Sequence, residues 1–257
     1  MVVADLHVHT TNSDGQLTLE TIPGAASAAG VEVVAVTDHD RLHPDLTASV
    51  VERNGITVIH GIELRVEADD QRLDLLGYAA ERTAQLETLT ERLQTNRIER
   101  ARAIIDRVED RTGAELSVDL SPGVGRPHIA RAIAESSAPY DYGGAFEELI
   151  GDGGPCFVAR ELPSFERGKR VLGGACSIVG LAHPFRYDDP SAALALASEL
   201  DAVEIPYPYG RAVDRGPAER VAAEANLLVT GGSDAHERSL GSAGLDREQY
   251  RAVEATL

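Results

Sequence analysis

The sequence predicts an α/β fold, either a β/α barrel or an open α/β sheet, interrupted by a block of helices. Three observations predict it. Short runs rich in Val, Ile and Leu, apolar on both faces, recur along the 257 residues and suit a buried parallel sheet. Segments of helical period alternate with them. From about residue 83 to 160 the alternation stops and only helical patterns remain.

Taken in order, strands are expected over residues 2–6, 31–37, 57–62, 73–78, 177–182, 202–205 and 227–230. Helices are expected over 24–29, 46–53, 165–172, 191–199 and 217–225. Within the interrupting block, "TAQLETLTERLQTNRIERARAIIDRVEDRTG" is a long helical pattern that Gly113 ends. "GRPHIARAIAES" starts a second helix at Pro127, and "GGAFEELIGDGG" is a third, shorter one. The expected organisation is therefore one β/α domain built from residues 1–82 and 161–257, with 83–160 as a small helical insertion domain.

Composition removes several classes of function. No run of about 18 apolar residues is present, so no membrane span is expected. No basic segment followed by an apolar stretch opens the chain, which points to a cytoplasmic protein. Cys156 and Cys176 lie far apart and form no CxxC, so they are expected as reduced thiols. Net charge is −18, and Lys169 is the only lysine. Acid excess with lysine depletion is typical of proteins from high-salt cytoplasm, where carboxylates stay hydrated and salt screens their repulsion. An anionic substrate would then be held by local arginines and metal ions rather than by the overall field. Nothing in the sequence points to an obligate protein partner.

Five of the eight histidines stand at or just past the end of an expected strand. His7 and His9 close "VVADLHVH", His39 follows "VEVVAVTD", His183 follows "SIVGLA" and His236 follows "LLVTGGSDA". Glu63 ends "ITVIHGIE", Asp234 lies two residues before His236, and Asp14 sits in the turn "SDG". Strand ends converge on one face of a β/α barrel, so residues far apart in sequence aim at one place. Alternate strand residues share a face, which lets His7 and His9 reach one ion. Imidazole with carboxylate suits Zn²⁺, Mn²⁺ or Fe²⁺, and the absence of thiolate favours a catalytic over a structural metal. The ligands outnumber the needs of one ion and imply two or three sharing a bridging carboxylate. Asp38 and Asp40 flank His39; Asp38 is expected to orient its imidazole and Asp40 to touch substrate. His43 and His60 are expected to be structural.

These pieces, "DLHVHTTNSDG", "VTDHD", "GIEL", "LLGY", "GRPHIARA", "LAHPFRY" and "GGSDAHE", resemble the PHP (polymerase and histidinol phosphatase) family of metal-dependent phosphoesterases. The nearest branch is similar to enzymes that hydrolyse 3′,5′-nucleoside bisphosphates and trim RNA from its 5′ end. The resemblance implies a distorted seven-stranded β/α barrel with a trinuclear centre. His7, His9 and Asp234 would hold one ion, Glu63 would bridge it to a second held by His183, and Asp14, His39 and His236 would hold a third. The family usually carries a His before "LLGY"; here Asp74 stands there. Either Asp74 ligates, and as a harder donor would favour Mn²⁺ or Mg²⁺ over Zn²⁺, or it is no ligand and the centre is dinuclear.

The same resemblance places Arg126 and His128 of "GRPH", at a helix start where anions are favoured, on a substrate phosphate. Arg97 and Arg100, three residues apart on the long helix, share a face; they are expected either on substrate or paired with nearby glutamates. Arg186, after "AHPF", could line the mouth. The expected substrate is a small nucleotide or the 5′ end of a short RNA. Three alternatives differ in class. A histidinol-phosphate-type phosphatase is disfavoured by the "GRPH" segment. A catalytically silent metal-binding regulatory module is disfavoured by the full set of ligand types. A metal-dependent amidohydrolase would need a carboxylated lysine on a middle strand, and Lys169 lies in a helical pattern.

Overall fold

The computed structural model describes residues 1–69 and 71–257. They form two units, Met1–Thr90 with Leu162–Leu257, and Glu91–Glu161. The chain runs β1 (Ala4–Val8), α1 (Ile22–Ala29), β2 (Val33–Val36), β3 (Val50–Arg53), β4 (Ile56–His60), β5 (Ile62–Ala68) and β6 (Gln71–Tyr78). It continues through α2 (Ala84–Thr112), α3 (Arg126–Glu135), α4 (Tyr142–Gly144) and a π-helical turn, Ala145–Ile150. The first unit resumes with α5 (Phe165–Gly173), β7 (Ile178–Leu181), a 3₁₀ turn at Pro184–Arg186, α6 (Pro190–Ala197), β8 (Ala202–Glu204), α7 (Gly216–Ala225), β9 (Leu228–Thr230) and α8 (Arg247–Glu254).

The fold is mixed α/β. One sheet has the order β1-β2-β4-β3 and the other β5-β6-β7-β8-β9. Backbone bridges join them: Val8 pairs with Ala235, just past β9, and His39, just past β2, pairs with Glu63 of β5. One buried apolar cluster draws on both sheets, with Ala4, Leu6, Ala35 and Ile59 from the first and Leu76, Tyr78, Ile178 and Ala202 from the second. Tyr250 and Val253 of α8 pack onto it. A second cluster seats α1, through Ile22 and Ala26, against Val34 and Val36 of β2. Buried apolar area of this kind is the main term that holds the strands together.

The sheet is not wholly parallel, contrary to the expectation from apolar strands. β3 pairs antiparallel with β4, and β6 runs antiparallel to both β5 and β7. Ala68 of β5 pairs with Gln71 of β6, and so short a link permits only an antiparallel return, since a parallel one needs a crossover of a dozen residues or more. The helix expected over 46–53 is also absent; residues 50–53 are β3. Val50 and Val51 are β-branched, and the "NG" that follows adopts positive φ at both positions, 49° at Asn54 and 81° at Gly55. That is the signature of a tight hairpin turn. The expected strand over 57–62 is two strands, and the second continues to Ala68.

In the second unit, Ile104 and Val108 of α2, Ile129 and Ile133 of α3, and Leu149 with Ile150 of the π-helical turn share an apolar core. Gly113, with φ of 71°, ends α2 by donating its N–H to Glu109 O at 2.8 Å. No helix among the described residues is long and apolar enough to cross a membrane.

Candidate metal centre

The centre starts from β1. Alternation along the strand turns Ala4 and Leu6 into the apolar core and leaves Asp5 and His7 on the opposite face. The chain after β9 presses against this strand so tightly that a Cβ on Gly232 would lie 2.3 Å from the Cβ of His7. Asp5 fixes that approach: its carboxylate accepts from Ser233 N at 2.9 Å, Ser233 Oγ at 2.5 Å and Gly241 N at 2.7 Å. Burial pushes its pKa up to about 6 against those hydrogen bonds. Asp234 and His236 are thereby delivered beside His7 and His9. On the other side, Gly15 allows the "SDG" turn to fold back, because a Cβ there would lie 2.2 Å from His9 O.

The structure brings together all nine residues singled out as ligands. Their donor atoms fall into four overlapping sets, each with every member within 4.8 Å of the others: His9, Asp14, His39 and His236; His7, His9 and Glu63; His7, His183 and Asp234; and Glu63, Asp74 and His183. Glu63 is the hub. Its Oε1 lies 3.0 Å from His183 Nε2 and 3.4 Å from His7 Nε2, and its Oε2 lies 2.7 Å from His39 Nδ1 and 3.4 Å from His9 Nε2. Asp234 Oδ1 is 3.1 Å from His9 Nε2 and 3.5 Å from His7 Nε2. Asp14 Oδ1 is 3.4 Å from His236 Nε2 and 3.7 Å from His39 Nε2.

Whether these residues fit metal ions can be tested on the protein's own hydrogen bonds. His7 Nε2, His9 Nε2, Asp14 Oδ1 and Glu63 Oε2 are buried and make no hydrogen bond. Buried polar atoms left unmatched are costly, and here they cluster and point at one another. A mixed imidazole and carboxylate donor set of this kind suits borderline divalent cations. The residues fit. The electrostatics agree: despite burial, the pKa values of Glu63, Asp14 and Asp234 are held well below the usual carboxylate range by the surrounding imidazoles. Burial lowers that of His9, with His39 adding to the effect. For His236, Asp14 and Asp234 overcome burial and raise it to about 9. Two candidate ligands hold backbone of positive φ, His183 at 27° and Asp234 at 51°, strain that persists only where surrounding structure imposes it.

Residues 5–143, more than half of the chain, match the family model of the PHP domain. The chain belongs to the PHP family. It is 30% identical over 191 residues, 72% of this chain and 69% of the relative, to a 5′-3′ exoribonuclease of Haemophilus influenzae. It is 29% identical over 196 residues, 73% and 69%, to a 3′,5′-nucleoside bisphosphate phosphatase of Chromobacterium violaceum. It is 30% identical over 253 residues, 91% and 94%, to a phosphoribosyl 1,2-cyclic phosphate 1,2-diphosphodiesterase of Eggerthella lenta. Among solved structures, a protein of Bifidobacterium adolescentis provisionally described as a metal-dependent phosphoesterase superposes with a TM-score of 0.81 at 22% identity, over 99% of this chain and 96% of that one.

Around this PHP centre the supporting residues differ from the sequence reading. Asp38, expected to orient His39, grips the loop that carries Asp14. Its carboxylate accepts from Thr10 N, Thr10 Oγ1 and Ser13 Oγ, each at 2.7 Å, and from Asn12 Nδ2 at 3.0 Å. Asp40 accepts from the backbone N–H of Arg65 at 3.1 Å. The residue the sequence reading passed over is Glu204, at the end of β8. Its Oε1 lies 3.1 Å from His7 Nδ1 and its Oε2 accepts from His183 N at 2.8 Å. A carboxylate on the far nitrogen of a ligating histidine fixes its tautomer and strengthens it as a donor. The signal was available, since Glu204 is an acid at a strand end like Glu63. Arg186 donates to Asp234 Oδ2 at 2.9 Å, as does Tyr207 OH at 2.7 Å. Asp74 joins the cluster but is also bound by Arg65, through Nε at 2.8 Å and Nη2 at 2.7 Å.

The substrate-facing candidates gather with one another in the second unit. Arg126 opens α3 behind an extended Gly125 and donates to Ile150 O at 3.3 Å and to Asp152. His128 Nδ1 accepts from Gly125 N at 3.2 Å, which caps the helix. Arg97 donates to Val124 O at 3.3 Å, and Arg100 to Val158 O at 2.7 Å rather than to a glutamate. The guanidiniums of Arg100 and Arg126 each lie 5.8 Å from the ring centre of Phe157. Burial together with Arg126, Arg160 and Arg97 pulls the pKa of Arg100 down to about 9. Crowding of cations on that scale favours an anion among them.

Proposed function

We propose that this PHP-family protein hydrolyses phosphate esters of nucleotides, with 3′,5′-nucleoside bisphosphates and 5′-phosphorylated short RNA as its substrates. It is a hydrolase of phosphoester bonds. The observation that carries the reading is the convergence of His7, His9, Asp14, His39, Glu63, His183, Asp234 and His236, with buried donor atoms unmatched within the protein. These residues would hold divalent ions, Mn²⁺ foremost. Bound there, the ions would neutralise charge on the phosphoryl oxygens and make a water acidic enough to serve as nucleophile near neutral pH. Glu63 keeps the sets together, while Glu204 and Asp38 orient His7 and the Asp14 loop. Arg126, His128, Arg97 and Arg100 bind a neighbouring phosphate of the substrate and set which ester bond is cut. The bridges at Val8 and His39 support reading the two sheets as one distorted seven-stranded barrel, with the ligands at one end.

Cleavage of a 3′-phosphate from a bisphosphate and of the first linkage of a 5′-phosphorylated RNA are the same P–O hydrolysis beside an anchored 5′-phosphate. The similarity to a cyclic phosphodiesterase over 91% of the chain favours a second reading, a five-membered cyclic phosphate of a ribose. The experiment incubates purified protein and Mn²⁺ with an adenosine 3′,5′-bisphosphate, a 5′-phosphorylated oligoribonucleotide, a ribose 1,2-cyclic phosphate and histidinol phosphate. Turnover of either of the first two is expected. Turnover of the cyclic ester alone establishes the second reading, and turnover of histidinol phosphate alone, or of none, removes both.

A further inference from the structure

Two arginines touch carboxylates of the candidate centre, and they do so differently. Arg186 and Tyr207 take only Oδ2 of Asp234, so Oδ1 stays directed at His9 and His7. Arg65 takes both oxygens of Asp74. The pairing is built into the sheet: Arg65 of β5 stands directly opposite Asp74 of β6 in the antiparallel register, where side chains of opposite charge meet. Asp74 is almost wholly buried, with its N–H donated to Tyr187 OH at 2.9 Å, and that hydroxyl donates in turn to Ala182 O at 3.0 Å. The Arg65 side chain remains 39% exposed. Two of its five N–H donors are used, and the other three have no protein partner among the described residues.

Asp74 belongs to one donor set only, with Glu63 and His183. Its Oδ2 is 3.8 Å from His183 Nε2 but 2.7 Å from Arg65 Nη2. A divalent ion taking that oxygen would share it with a guanidinium in a buried place, where repulsion between cations is weakly screened. The guanidinium cannot escape by losing its proton. In Asp234, by contrast, the arginine takes Oδ2 and leaves Oδ1 beside His9 and His7.

We propose that Arg65, held in a two-point pair by Asp74, occupies the place of the ion that Asp74 would otherwise share with Glu63 and His183, so that the centre takes two divalent ions and one guanidinium. Arg65 is then the catalytic residue that meets a non-bridging phosphoryl oxygen with its remaining N–H donors, and Asp74 is its positioning residue. The planar fork suits this task, since it can bind a carboxylate on one edge and a phosphoryl group on the other. The assignment of that oxygen to a phosphoryl group rests on the phosphoesterase reading above.

The test counts Mn²⁺ per chain by mass spectrometry after loading and desalting, and measures inorganic phosphate binding to the loaded protein by calorimetry. The wild-type protein is expected to hold two ions. Arg65→Met with Asp74→Asn, which leaves no buried charge unpaired, is expected to hold two ions as well and to bind phosphate roughly tenfold or more weakly. Arg65→Lys, which keeps the charge but loses the fork, is expected to fall between them. Three ions on the wild-type protein overturn the proposal without any variant. So does a lower count in the paired variant, or phosphate affinity there equal to the wild-type value. Neither readout uses a nucleotide, so a protein that behaves as expected here yet turns over no nucleotide fails only the substrate reading.

Discussion

In the first unit, nine carboxylate and imidazole residues lie within a few ångströms of one another, and several of their donor atoms are buried without a hydrogen bond. In the second unit, Arg97, Arg100 and Arg126 crowd together, but each is held by a backbone carbonyl, and two of them by the ring of Phe157. The difference lies in what the protein leaves unmatched. The first unit leaves lone pairs unmatched, which only cations can satisfy at that density. The second holds its arginines with backbone carbonyls and the Asp152 carboxylate yet crowds enough like charge to pull the pKa of Arg100 down to about 9, which suits an anion.

The largest effect that would break this comparison is metal removal. Chelation is expected to lower phosphoester hydrolysis by on the order of 10³-fold or more, with recovery on adding Mn²⁺; activity that survives exhaustive chelation contradicts the first half of the comparison. Glu63→Gln should come next. It removes the carboxylate shared by the sets and is expected to cost at least one ion per chain, together with a loss of comparable order in kcat/KM. Glu204→Gln leaves every proposed ligand in place and should weaken metal affinity about 10- to 100-fold, read as a rightward shift of the Mn²⁺ activation curve. Arg126→Ala sharpens the other half: KM for a 5′-phosphorylated substrate should rise roughly tenfold or more with an unchanged metal count. A drop in metal count instead would tie Arg126 to the metal centre.

The smallest effect concerns pH in metal-free protein. The pKa of His236 is raised to about 9 from its ordinary 6.5. Its protonated form therefore adds stability that is fully present below about 6.5 and lost as pH rises through about 9. Thermal denaturation of wild type against His236→Gln should show a gap of a few degrees at pH 6 that closes by about pH 9.5. A gap that widens with pH would reverse the sign assigned to the Asp14 and Asp234 contacts.

Much of the first unit was legible because its chemistry sits where short apolar strands end. His7, His9, His39, Glu63 and His183 each follow a run that reads as a strand, and a sheet gathers such ends whatever its exact pairing. The long helix from Ala84 to Thr112 declared itself by period and by its terminal glycine. β3 did not, although its "NG" turn was in plain view, because a half-exposed edge strand carries little apolar signal. Glu204 escaped because one acid at a strand end looks like any other until its partners are known.

The sequence by itself determined which residue types stand at which strand ends, and with them the family and the donor chemistry. Those are local properties, carried by a few adjacent letters. Only the tertiary structure decided what each charge meets: that β6 runs antiparallel and sets Asp74 opposite Arg65, that Asp38 holds the Asp14 loop, and that Asp5 ties β1 to residues 233–241. Register and partner choice are settled between segments far apart in the chain, by burial and by matching of charge, and no short stretch of sequence contains both sides of such a contact.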